Sequence, residues 1–338
     1  MSKLIRLFEP GVVYSAVQTV VDRAFLFAPN HDPSHPLLAR GCPPEALDPE
    51  SPIVPVPSLI NIVGSAAARA LELAPINLHA LALSVNHEHA DVSTDDDVAA
   101  LPEFFRDFHS TVARDVNAML GREGHLYAGP TRLTPCANDD IALQQVIYTL
   151  SNPVKDGLVD RARRTPFFST YKQQAFGDQM RYWDISWESF HEAGGVRCPR
   201  LNPKQFMKWR TLELSPLPHL RDLPEHQRQT LIRKLIAEVE EETAEKLKRE
   251  GRAFAQVSRH FELDPRDRPK TPRTSGSKPL VHASTKEERD AYREKYLEVR
   301  KAFVPASIAF RQGLFDVEFP PGTFRPPIIG SIPIPNTS

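Results

Sequence analysis

Two short stretches of the chain carry side chains that could do chemistry together. Asn86-His87-Glu88-His89 places two imidazoles at i and i+2. In a strand both would project from one face and could reach the same metal ion. With 12 histidines in the chain, such a pair is also an ordinary feature of an exposed strand. The second stretch is Tyr148-Thr149-Leu150-Ser151-Asn152-Pro153-Val154. On a helix, i and i+4 share a face, so the Tyr148 phenol and the Asn152 amide would point the same way. Alone, this reads equally well as a core tyrosine followed by an asparagine that ends a helix before proline. Taken together, the two stretches bring a metal, an amide oxygen and a phenol to one place, provided the helix covers the strand.

The surrounding pattern supplies elements that could do this. Residues 12–21 are rich in β-branched types and read as a strand. Residues 28–57 are too proline-rich for regular structure and read as an insertion. Ser58 can cap a helix to about residue 74, where Leu59, Ile62, Val63, Ala66, Ala70 and Leu73 recur at helical spacing. Strands follow at 77–85 and 87–93, then a helix at 102–120 with one apolar stripe and Gly121 just past its end. Short strands fit 125–128 and 131–136, and a third helix fits 139–151. The order predicts an α+β fold: a ferredoxin-like antiparallel sheet with two helices on one face. The third helix is then free to lie over the other face.

Beyond residue 172 the pattern changes, which divides the chain into 1–172, a mostly helical extension 173–318 and a proline-rich tail 319–338. Residues 173–222 read as irregular. A helix fits 224–250, with Leu231, Leu235, Ile236, Val239 and Leu247 on one side and the glutamates 240–242 in solvent. Residues 266–278 read as a basic linker, and Ser284 with Glu287 as a capping box for a helix to about residue 303.

Composition narrows the function classes. The 338 residues carry a net charge of -1, so any nucleic-acid surface must be local. Cys42, Cys136 and Cys198 are three, far apart and without a C-x-x-C pair, which speaks against a disulfide framework or structural zinc and for a reducing, cytoplasmic setting. No apolar run reaches the ~20 residues of a membrane span, and the first residues lack the features of a signal peptide.

The residues also resemble a known family. INLHALALSVNHEHADVST resembles the strand pair of the HUH single-tyrosine transposases, with their His-hydrophobic-His signature. GREGHLYAGPTRLTP is similar to their Gly-His-Leu-Trp segment and the arginine strand after it. QQVIYTLSNPVKDGLV resembles their Tyr-x-x-x-Asn-Pro-Val-x-x-Gly-Leu-Val helix end, the most specific element. TPFFSTYKQQ is similar to a Trp-Ser-Ser-Tyr segment and VVYSAVQTVVDRAFLF to the opening strand. The likeness spans residues 12–172 in order, nearest to the REP-associated tyrosine transposases. It implies that His87, His89 and Asn152 hold a divalent ion, Mg²⁺ or Mn²⁺. Tyr148 would then cleave and rejoin single-stranded or hairpin-associated DNA through a 5′-phosphotyrosine. It further implies a place at the bacterial nucleoid; monomer and homodimer stay open. Three residues depart from the pattern. Glu88 replaces a bulky apolar residue and should be paired if buried, Ser15 stands where histidine is common, and Tyr127 replaces tryptophan.

Candidate phosphate contacts are Arg132, Lys155, Arg161, Arg163 and Arg164. Each is also an ordinary solvated cation. The same holds for Arg266, Arg268, Lys270 and Arg273 in the linker. His125 reads first as structural, and Asp95, Asp96 and Asp97 as a turn and helix start. Two other functions stay open: a catalytically silent single-stranded nucleic-acid-binding module, and a replication-initiator or relaxase-type nickase.

Overall fold

Alternating strands need cover on both faces when the residues on both faces are buried, and this sheet receives it from helices of opposite origin. A computed structural model of the chain describes residues 5–32, 35–48, 50–51, 53–198, 200–270 and 279–327. Its first part runs β1 (Tyr14–Thr19), β2 (His31–Asp32), β3 (His35–Ala39), α1 (Leu59–Leu73), β4 (Asn77–Leu83) and β5 (His87–Ser93). Then come α2 (Ala100–Leu120), β6 (Arg132–Pro135) and α3 (Asp139–Lys155). Four strands pair in the order β4-β5-β1-β6, every neighbour antiparallel. This is the expected ferredoxin-like α+β sheet.

The period of two decides what each face carries. Tyr14, Ala16, Leu81, Leu83, Ala90 and Val92 enter one core with α1 and α2. Val13 and Ala80 enter a second core with α3. On β5, residues 87, 89 and 91 stand opposite Thr19, Val17 and Ser15 of β1, on the α3 side.

Local chemistry sets the helix ends. The Ser58 hydroxyl accepts from the Asn61 N–H at 3.2 Å, opening α1. Gly121, at φ 58°, closes α2 in the left-handed conformation that glycine adopts freely. The Asn138 side chain accepts from Ile141 N–H at 2.9 Å, opening α3. That helix passes through Pro153 and ends at Lys155, beyond the expected stop near residue 151. Proline removes one backbone bond, but Ile147, Leu150 and Val154 are buried along this helix, and packing outweighs the local preference. The final helix likewise runs through Pro305.

The later chain is more regular than its sequence suggests. It forms α4 (Tyr171–Phe176), β7 (Arg181–Ile185), α5 (Trp187–Glu192), β8 (Met207–Thr211), α6 (Glu225–Arg249), α7 (Val257–His260) and α8 (Lys286–Arg311). β7 and β8 make a hairpin with Trp183 opposite Trp209. Tyr182 of that hairpin lies so close on Gly64 of α1 that any β-carbon there would collide with its ring. The capping box forms one residue later than expected, from Thr285 and Glu288. Glu240, expected in solvent, turns inward: it accepts from Ala162 N–H at 2.8 Å and from Arg161 at 2.7 Å. A buried carboxylate needs such partners, and a run of glutamates hides which member has them. Residues 125–128 contribute only a bridge from Tyr127 to Val20, and the region 28–57 contains the small β2–β3 pair. Packing is continuous past residue 172: Tyr182 and Leu212 belong to the first core, Ile232 and Ile236 to the second. Residues 271–278 of the linker and 328–338 of the tail lie outside the described residues. Among the described residues, no helix is long and apolar enough to cross a membrane, and the three cysteines are free.

Candidate active site

α3 lies across β5, and its packing there is what gathers the two sequence stretches. The His87 and His89 rings sit 5.0 Å apart, centroid to centroid, nearly perpendicular. The Tyr148 ring stands 5.4 Å from His89, also edge-on. Asn152, one turn along α3 from Tyr148, is buried at 2 % exposure. Its amide lies close enough to bias the titration of both His87 and Tyr148, yet its Oδ1 makes no hydrogen bond. All four residues are therefore in one place.

Burial keeps the two imidazoles neutral. Burial lowers the pKa of His89 to about 3. Burial also lowers that of His87, opposed chiefly by the charge on Asp156. His87 Nδ1 is 2.9 Å from Asn86 Oδ1. Since that oxygen only accepts, Nδ1 carries the proton and Nε2 keeps the lone pair, a common way to fix a ligating tautomer. His89 Nδ1 is buried with no partner, as is Asn152 Oδ1. Orphaned buried polar atoms are rare and call for an unseen partner. A divalent cation would give either atom a partner, and two imidazoles with an amide oxygen are a donor set compatible with Mg²⁺ or Mn²⁺. Among the described residues no three His, Cys, Asp or Glu side chains converge to hold a metal. Two imidazoles and one amide would leave part of an ion's shell open.

Tyr148 is the accessible member, 37 % exposed on the wall of a cleft of ≈ 510 Å³. Burial of its hydroxyl raises the phenol pKa, with Asp156 adding to the rise and Asn152 opposing it. The Lys155 ammonium rests 4.7 Å from the centre of its ring, in a cation–π arrangement. Lost hydration lowers the Lys155 pKa, partly restored by Glu242.

Two carboxylates near the site escaped the sequence reading. Asp91 continues the column of His87 and His89 and is fully buried, its oxygens near the Thr149 and Ser15 hydroxyls but in no well-formed hydrogen bond with them. Burial lifts its pKa to about 7, against the influence of Thr149 and Ser15 nearby. Thr149 Oγ1 is also without a partner. The i+2 spacing from His89 was the available signal. Asp156 lies one turn beyond Asn152; burial raises its pKa while His87 lowers it. It was overlooked because the helix was expected to stop before it.

Glu88 points to the opposite face and is paired there. It meets His109 Nε2 and accepts from the Tyr127 hydroxyl at 3.0 Å. Thr131 Oγ1 lies 3.0 Å from His109 Nδ1 and completes the network.

The candidate phosphate contacts do not converge as the four site residues do. Lys155 alone is in contact with Tyr148. Arg161 pairs with Glu240 and Arg164 with Asp160 at 2.8 Å. Arg132 donates to the Pro279 carbonyl. Arg163 is exposed, its charge felt at the Tyr171 phenol. Arg268 pairs with Asp22 at 3.1 Å, Arg266 and Lys270 are exposed, and Arg273 lies outside the described residues. His125 is exposed on a loop. Asp95 pairs with Arg221 at 2.7 Å, and Asp97 accepts from Ala99 N–H at 2.8 Å where α2 begins.

No protein-family model matches the chain, and no curated protein does. A solved structure of a REP-associated tyrosine transposase bound to a REP hairpin is similar to it over 52% of this chain and 87% of that one. The identity is 16% and the TM-score 0.36.

Proposed function

We propose that the chain is a metal-dependent, single-tyrosine DNA strand transferase of the transposase kind, acting on single-stranded or hairpin-associated DNA. One observation carries the reading. On a single sheet face, two neutral imidazoles and an amide oxygen, two of their donor atoms buried and unpaired, stand beside an accessible phenol. The sequence resemblance over residues 12–172 supports the same assignment.

In this reading the Tyr148 oxygen bonds to phosphorus and the P–O3′ bond breaks. The phenol gives up its proton to solvent, the electron pair of the broken bond leaves on the 3′-oxygen, which takes a proton from water, and a 5′-phosphotyrosine remains. A 3′-hydroxyl attacking that phosphorus reverses the step and joins strands. His87, His89 and Asn152 would hold the ion. When bound, it supplies the positive charge that favours a phenolate and offsets charge on the phosphate. That help is needed, because the surroundings push the phenol pKa up. Lys155 holds the ring from one side and offers a phosphate its ammonium. A phosphate must be bendable to meet a phenol on a helix, which suits a single strand better than a duplex.

The test is denaturing electrophoresis of the protein with a pool of single-stranded hairpin oligonucleotides and Mn²⁺ or Mg²⁺. A covalent adduct should form and should disappear with Tyr148→Phe, whose circular dichroism should stay native. An adduct that persists undiminished in Tyr148→Phe rejects the assignment. Cleavage without rejoining by an added 3′-hydroxyl strand would make the enzyme a nickase.

A further inference from the structure

The cleft of ≈ 510 Å³ beside Tyr148 exists because α6, from outside the stretch that resembles the transposases, packs against α3. Its floor is apolar, formed by Ile147 from α3 and Leu235 and Val239 from α6. Its walls carry Asp140, Glu238 and Glu242. Among the lining residues, Lys155, already drawn over the Tyr148 ring, is the one cation against these three carboxylates, and Gln144 and Gln145 add neutral amides. Glu238 comes no nearer than 4.0 Å to Lys234, an exposed pair of little strength. A phosphate moving past Lys155 into the cleft meets three carboxylates of like charge. A flat neutral ring with N–H donors on its edge meets an apolar floor and acceptors.

We propose that this cleft receives the unpaired base of one of the two nucleotides sharing the scissile phosphate, and that it selects bases bearing an exocyclic amino group. This rests on Tyr148 being the strand-transferring nucleophile. A nucleotide whose phosphate sits at the Tyr148 hydroxyl has its base within one sugar of the cleft. Carboxylates accept from the amino groups of cytosine, adenine and guanine. Thymine offers no amino group: its single N3–H lies between two carbonyls, so a carboxylate that accepts from it is crowded by oxygens of like partial charge. A base in a duplex cannot enter, so the cleft gives a second reason for an unpaired substrate. α6 thus acts as a specificity wall, although the residues it contributes touch no reacting atom.

The test varies the base on each side of the cleavage point, one position at a time, as adenine, cytosine, guanine, thymine or an abasic site. Adduct yield with Mn²⁺ should fall on the order of tenfold with thymine or an abasic site at one of the two positions. The double variant Glu238→Ala, Glu242→Ala should flatten that preference while keeping native circular dichroism. Adducts that form equally with every base at both positions overturn the cleft proposal and leave strand transfer standing. If no oligonucleotide gives an adduct, strand transfer fails, and binding of the same set by Tyr148→Phe then decides the cleft. The same base preference in binding supports it, and indifference to the base overturns it.

Discussion

The two faces of one strand, β5, have been built to opposite rules. Toward α2, Glu88 is buried and fully engaged: His109, Tyr127 and Thr131 form a closed network around it. Toward α3, His89 Nδ1, both Asp91 oxygens, Thr149 Oγ1 and Asn152 Oδ1 are buried without a well-formed hydrogen bond, Asp91 having only Thr149 and Ser15 near it and Asn152 only His87 and Tyr148. A satisfied polar network rigidifies a core, whereas an unsatisfied one costs stability unless something else completes it. The first face therefore reads as structure, and the second is the face on which the proposed function would place an ion and a phosphate. The lesson is that a buried carboxyl group between two candidate ligands need not belong to the site. The period of two sends Glu88 away from it.

The largest expected contrast is in activity. His89→Leu should reduce adduct formation by on the order of 10³-fold or more. It should leave the metal-free protein near its original stability, because it removes an unpaired buried nitrogen. Urea denaturation beside an adduct assay checks both halves. A stability loss as large as the activity loss would place His89 with the structural face. Glu88→Ala should do the reverse. Removing one member of a closed buried pair costs roughly 3–5 kcal/mol, read from the urea midpoint, while the folded fraction keeps its metal response.

How much of this could be read beforehand follows the range of the interactions. The four site residues were legible because each pair is a local spacing, i+2 on a strand and i+4 on a helix. The caps at Ser58, Gly121 and Asn138 are equally local, although the last was not singled out. Asp91 and Asp156 were missed for different reasons. Asp91 follows the visible spacing, but only the cover of α3 makes it an unpaired buried acid. Asp156 needed a helix that continues through Pro153, a long-range packing result. Glu240 shows the same limit: three adjacent glutamates look alike until Arg161 and Ala162 are placed against one of them. The β7–β8 hairpin is held by Tyr182 on Gly64, a contact no local pattern announces.

A mid-sized effect sharpens the comparison through pH. The ordinary aspartate pKa is 3.8, and burial raises that of Asp91 to about 7. The folded state therefore holds a proton that the unfolded state has released. The stability so gained is present below pH 4 and lost as pH climbs through 7. His89, lowered to about 3, and His79, lowered to about 4, act in the opposite sense, their contributions being lost as pH falls below 6.5. Asp91→Asn isolates the first effect. It should be roughly 4 kcal/mol more stable than the parent at pH 8 and nearly equal at pH 4, in metal-free buffer. A difference that does not grow with pH would mean that Asp91 has a partner after all.

The smallest expected effect is the most direct probe of what completes the α3 face. A ligand bound only by the folded state stabilises it by about 2.7 kcal/mol at a hundred times its dissociation constant. Mn²⁺ should therefore raise the melting temperature of the parent. It should not do so for Asn152→Leu, which removes a hard oxygen donor but keeps a side chain of similar size in an apolar setting. Glu88→Gln should keep the full rise from its own lower starting point, since it alters the other face of the strand. If Glu88→Gln loses the rise as completely as Asn152→Leu, the two faces are not independent. The His109 network would then be holding β5, and with it His87 and His89, in the shape that the ion requires.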